Sequence, residues 1–117
     1  MPDRAQLFAD IDSMQPERFA AHLAEDAMMR FGNAEPIRGR DAVRDAWAEF
    51  CAGVQAVRHQ LVEQWTVGNA TIVEANVTYT RHGGTTVTVP VVTIYREAGD
   101  AIADYRIFID LAPLSAA

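Results

Sequence analysis

From Val57 to Asp110 the chain alternates apolar and polar residues in four runs of period two, broken only by short glycine turns. The runs are Val57–Val67, Thr71–Arg81, Thr85–Arg96 and Ala101–Asp110, and the breaks fall at Gly68-Asn69, Gly83-Gly84 and Gly99-Asp100. Alternation places successive side chains on opposite faces of a strand, and short glycine turns join antiparallel neighbours. Three consecutive hairpins, one antiparallel meander, are therefore expected. The hairpin from Thr85 to Asp110 carries the densest β-branched and aromatic content, which suits a half-buried pleated surface. Pro90 lies within it and has no N–H to give the ladder, so it is expected at a bulge or an edge.

Ahead of the meander the period changes to that of helices. Leu7, Phe8 and Ile11 mark a short amphipathic helix over Asp3–Asp12, and Pro16 opens a second with Phe19, Ala20 and Leu23 on one face. Ala27–Phe31 reads as a short strand, followed by a turn-rich loop, Gly32–Gly39, over the mouth of a pocket. Val43, Ala46, Trp47 and Phe50 then recur at helical spacing behind Asp41, which sits in the first turn of a third helix. A long twisted sheet curling around three helices leaves a concave space, so an α+β cone is the expected architecture. The tail Ser115-Ala116-Ala117 is expected to fray.

Length and composition narrow the function classes. A chain of 117 residues, half of them hydrophobic and 22% charged, is expected to form one domain over residues 1–117 with a packed core. A net charge of −6 and ten scattered basic residues argue against a nucleic-acid partner. Every basic residue is arginine, which excludes Schiff-base lysine chemistry and a phosphate-binding P-loop. No apolar run approaches the roughly 20 residues of a spanning helix, and the acidic N-terminus lacks the form of a secretory signal, so no membrane association and a cytoplasmic location are expected. Cys51 is the only cysteine, and His22, His59 and His82 lack metal-ligand spacing, so no metal and no cofactor are expected. Cys51 itself is read as a structural thiol.

The segment AEDAMMRFGNAEPIRGRDAV, Ala24–Val43, resembles the nuclear transport factor 2-like superfamily, more narrowly its SnoaL-like members. The paired closing strands VPVVTIYREAGDAIADYRIFID, Val89–Asp110, look like those of the same group. The resemblance implies a cone with a small-molecule pocket, in a superfamily that spans isomerases, cyclases, hydrolases, dehydratases and non-catalytic modules. Epoxide hydrolases of this group need two carboxylates bridged by an arginine, with a tyrosine and an asparagine holding water. Those positions fall here on Ile107, Thr78 and Asn76, and on Met29 and Phe31, so that route to water activation is not implied. The ketosteroid isomerase base and oxyanion donor fall at Met29 or Arg30 and at Val92, again without the required groups. What the resemblance does imply is an inward set: Met29, Phe31, Asn76, Thr78, Val89, Val91, Tyr105, Ile107 and Ile109. With Trp47 from the third helix, these residues are expected to bind a small, mostly apolar cyclic, polyketide-, steroid- or terpenoid-like molecule.

His59 is the leading chemical candidate. Strand parity groups it with Val57, Leu61, Trp65 and Val67 on the more apolar face, where an imidazole can serve as acid or base, or can simply be satisfied by a backbone carbonyl or water. Glu63 shares that face but stands about 13 Å along the strand, too far to pair with it. Asn76 is either a hydrogen-bonding group inside the cup or part of a solvated outer face behind Val73, Ala75, Val77 and Tyr79. Tyr105 either polarises a ligand carbonyl or packs its ring. Asp104, Arg106 and Asp110 fall on the opposite face as an outer ion-pair ladder, His22 and His82 are read as surface or packing residues, and Arg30 and Glu35 as a gate. Acid–base chemistry of isomerase, cyclase or lyase type is one reading of such a cup. A non-catalytic carrier or a dimeric interaction module is the other, with a homodimer expected through the outer sheet face.

Overall fold

The computed structural model describes residues 4–115. In chain order the elements are α1 (Arg4–Asp12), α2 (Pro16–Ala20), β1 (Leu23–Phe31), β2 (Ile37–Arg38), α3 (Arg40–Ala52), β3 (Ala56–Val67), β4 (Ala70–Thr80), β5 (Thr86–Ala98), β6 (Ala101–Ile109) and α4 (Ala112–Ser115). Asp3, the expected start of the first helix, and Ala116 and Ala117 of the expected tail lie outside the described residues. The six strands form one curved, unclosed sheet in the order β2-β1-β6-β5-β4-β3, and with its helices this is the expected α+β cone.

Local chemistry accounts for the meander. Val67 pairs with Ala70 across Gly68-Asn69, and Ala98 pairs with Ala101 across Gly99-Asp100. Gly68 and Gly99 have φ of 60° and 64°, the left-handed region that a two-residue hairpin with glycine first requires. The sheet then extends past β6 through a contact that no local pattern announces: β1 lies parallel to β6, with Met29 opposite Tyr105 and Phe31 opposite Ile107. Leu23, expected on the second helix, instead opens β1, because the helix ends at Ala20 and His22 accepts the backbone N–H of Ile102 at the start of that pairing.

The helices fill the concave side. Leu7, Phe8 and Ile11 of α1, Phe19 of α2, and Val43, Trp47 and Cys51 of α3 are buried in one core with Val73, Val77, Tyr95 and Ile102 of the sheet. Each of these large apolar side chains contributes about 1.5–3 kcal/mol by leaving water, and together they fix the helices on the inner face.

Two expectations about parity are corrected. A bulge between Leu61 and Glu63 inserts one residue into β3, so that Gln64 pairs with buried Val73 while Trp65 pairs with Ile72. One extra residue flips every side chain beyond it, so Glu63, Trp65 and Val67 lie on the outer face rather than with His59. In β4 the buried residues are Thr71, Val73, Ala75, Val77 and Tyr79. Asn76 and Thr78 therefore face outward, not into the cup: burying the aliphatic and aromatic set outweighs burying an amide and a hydroxyl. Thr78 Oγ1 lies 2.8 Å from Thr88 Oγ1 on that outer face. Pro90 sits opposite Asn76 in an unbroken β4–β5 register, one residue before the β5–β6 pairing begins at Val91 and Ile109, so its missing N–H falls where β5 is locally an edge.

Candidate functional site

The inner face carries one small aromatic cavity. The helices contribute Ile11, Phe19 and Trp47 to its wall. The sheet contributes Met29, Phe31, His59, Tyr79, Val91, Thr93, Tyr105 and Ile107. Its free volume is about 20 Å3, room for about one water molecule. Of the expected inward residues, Val89 is buried in the core without reaching the cavity wall, and Ile109, the last residue of β6, lies opposite buried Val91 and packs against the core, also without lining the cavity. Asn76 and Thr78 are excluded by their face. Met29, Phe31, Trp47, Val91, Tyr105 and Ile107 are brought together with His59.

His59 is held from two directions by Asp12. Asp12 Oδ2 accepts the His59 backbone N–H at 2.7 Å, and Oδ1 stands 2.6 Å from Nδ1. Because β3 is an edge strand, that backbone N–H would otherwise face an open sheet edge, and the α1 carboxylate covers it. The ring is only 10% exposed and stacks obliquely against Phe8 at 5.0 Å between centroids. A carboxylate accepts, so Nδ1 carries the proton and Nε2 is the nitrogen left to accept a hydrogen bond.

Asp12 went unread in the sequence, although a signal was there. α1 ends in Asp10 and Asp12 with no basic residue in its last turn, at the helix end where the dipole disfavours carboxylates. Acids in that position need partners, and here each has a histidine.

The remaining polar groups divide clearly. Tyr105 hydrogen-bonds to Thr93, and burial raises the pKa of its phenol and that of Tyr79 far above the ordinary value, so both stay protonated and act as hydrogen-bonding groups rather than bases. Burial likewise pushes the Cys51 thiol up to about 11, which removes it as a nucleophile at neutral pH. Trp47 is 4% exposed, and its indole N–H has no hydrogen-bond partner among the described residues, a defect that costs about 1–3 kcal/mol. Phe19, Phe31 and Phe50 surround that ring at centroid distances of 6.2, 6.4 and 5.3 Å.

The other candidates lie elsewhere. His22 Nε2 pairs with Asp10 Oδ2 at 2.7 Å, and His82 Nε2 lies 2.9 Å from the Ala52 carbonyl. Asp10 also accepts from Gln6 and Arg18. Its pKa is lowered, first by the His22 hydrogen bond, against a smaller opposing effect of burial. Arg30 faces outward and donates to the Ala34 carbonyl at 3.2 Å, so the expected gate with Glu35 is replaced by a loop brace. Asp104 and Arg106 pair at 2.9 Å on the outer face, with Arg96 beside them. Among the described residues no helix is long and apolar enough to cross a membrane, and no group of three or more His, Cys, Asp or Glu side chains is placed to hold a metal ion.

A family model of the SnoaL-like domain matches residues 5–105. Among solved structures, a protein with a ketosteroid isomerase-like fold from Catenulispora acidiphila, in complex with trimethylamine, superposes with a TM-score of 0.85 at 19% identity, over 93% of this chain and 85% of its own. A candidate SnoaL-like polyketide cyclase from Jannaschia sp. CCS1 gives 0.84 at 19% identity, over 95% and 85%. An LEH-like epoxide hydrolase from M. tuberculosis gives 0.79 at 14% identity, over 95% and 82%. At these identities the likeness is one of fold. No curated protein sequence matches the chain.

Proposed function

We propose that this chain, which belongs to the SnoaL-like domain family, binds a small, mostly apolar cyclic molecule in its cone and moves a proton on it through His59. The observation that carries this reading is the Asp12–His59 pair in the wall of an otherwise aromatic and aliphatic cavity. With Nδ1–H donated to Asp12, Nε2 is a base oriented by a third group, the arrangement general acid–base catalysis requires. A proton taken from the carbon beside a carbonyl would leave an imidazolium facing a carboxylate, which stabilises it, and the same nitrogen would return the proton at a neighbouring position. That is isomerase chemistry; in a cyclase the carbanion would instead attack a second carbonyl of the substrate, whose oxygen takes up the proton, and in a lyase it would expel a leaving group, which takes up the proton. Admitting a ring larger than water requires the aromatic wall to yield, so binding selects an opened conformation.

The direct test is deuterium exchange at the carbon beside the carbonyl, followed by NMR in D2O, across small cyclic ketones, steroids, terpenoids and aromatic polyketides. Exchange above the buffer rate that His59→Gln abolishes supports the reading. Saturable binding with no exchange would make the protein a carrier, and no binding across the panel would leave it an interaction module.

A second copy is the partner that the outer face supports. Trp65 is 44% and Phe108 54% exposed there. Glu63 stands opposite Glu74 across β3 and β4, while Arg30 stands opposite Arg106 across β1 and β6. Like charges directly opposite destabilise a sheet, and a twofold-related copy would set each acidic pair against a basic one. Trp65→Glu should then convert a dimer to a monomer in light scattering; a wild-type protein that is monomeric at high concentration refutes this.

A further inference from the structure

Within the cavity reading above, on which this inference rests, the polar end of the ligand has no obvious host. Asn76 faces outward, and the Tyr105 hydroxyl is engaged with Thr93. Trp47 is different: it lines the cavity, it is nine-tenths buried, and its N–H has no partner among the described residues. An indole N–H can only donate, and a buried donor left unpaired in a native structure calls for a partner such as a water, an ion or a ligand, or for a role in function. We infer that Trp47 Nε1 is the recognition point for a hydrogen-bond acceptor on the ligand, and that the ligand class is a neutral ring compound bearing a ketone, quinone or lactone oxygen.

The charge of the wall decides neutrality. No arginine lines the cavity, and the carboxyl group hydrogen-bonded to its His59 is that of Asp12, so a ligand carboxylate would be buried without a counter-ion. A methylated ammonium could instead be held by the faces of Phe19, Phe31, Tyr79 and Tyr105, but that would leave the Trp47 donor unpaired. An oxygen at Trp47 also places the carbon beside it within the same enclosure as His59, so one residue orients the carbonyl and the other reaches the acidic proton.

The experiment uses a matched pair of probes, acetophenone and α-methylstyrene, alike in shape but differing in C=O against C=CH2. The chain has two tryptophans, so the 15N-labelled protein shows two indole N–H peaks. Trp47→Phe assigns the buried one; if that variant does not fold, Trp65→Phe, at an exposed site, assigns it by elimination. Acetophenone is expected to move the Trp47 peak downfield and α-methylstyrene to leave it in place, with Trp47→Phe weakening acetophenone about three- to tenfold and α-methylstyrene less than twofold. Binding of both probes with an unmoved Trp47 peak overturns this inference while leaving the cavity reading intact. A Trp47 peak indifferent to acetophenone in a protein that binds trimethylammonium chloride overturns it in favour of a cation cage. No perturbation of cavity methyls such as those of Ile107 by any probe overturns both.

Discussion

The last turn of α1 holds two aspartates, and each grips a histidine: Asp10 takes His22 at 2.7 Å and Asp12 takes His59 at 2.6 Å. The pairs match in length and differ in their company. Asp10 also accepts from Gln6 and Arg18, so the carboxylate is saturated and His22 becomes a pin at the junction of α2 and β1. Asp12 spends both oxygens on His59, backbone and ring, and the ring stands in the wall of the cavity. An Asp–His pair is thus not by itself a functional signal. What separates the two pairs is where the imidazole ring stands: at an element junction for His22, in the cavity wall for His59.

The sharpest way to break this contrast is a matched pair of isosteric changes. Asp12→Asn should lower kcat/KM for proton exchange by about 100-fold or more, since an amide cannot hold the required tautomer. Asp10→Asn should leave that rate within about threefold. Equal losses in the two variants would erase the distinction.

Stability should run the other way. Asp10→Ala strands His22, Gln6 and Arg18 together and should cost about 2–3 kcal/mol in urea unfolding; a cost under about 0.5 kcal/mol would show that the cluster is decorative.

A smaller effect is the acid limb. Because the folded-state pKa of Asp10 lies below the ordinary 3.8, its contribution is fully present above that value and is lost as pH falls through the lowered one. The stability gap between wild type and Asp10→Asn should therefore be at full size near pH 5 and narrow below about pH 4. A gap that stays constant to about pH 2 contradicts the assignment. Smallest of all, Gln6→Ala removes one neutral donor from the cluster and should cost about 0.5–1 kcal/mol.

Much of the fold was legible because its signals are local. Period-two runs, glycines in two-residue turns and the Val43–Trp47 stripe each act within a few residues, and the elements appear close to where those patterns place them. β2 was not legible: two residues, Ile37 and Arg38, become a strand only because Met29 and Met28 lie beside them. The candidate site was half legible. Met29, Phe31, His59, Tyr105 and Ile107 converge as alternation suggests. Asn76 and Thr78 do not, because the family resemblance implies an inward face for them while the aliphatic content of β4 sets them outward.

By itself the sequence determined the long secondary elements, the antiparallel meander and the apolar faces of the helices, since periodicity and turn chemistry are properties of neighbouring residues. Only the tertiary structure decided three things. A single bulged residue in β3 sends Trp65 and Glu63 to the outer face, since strand parity is all-or-none. The parallel docking of β1 on β6 closes the cup, since that pairing spans most of the chain. And Asp12 meets His59 across 47 residues, since two acids at the end of α1 announce that partners are needed but not which residue of a distant sheet edge supplies them.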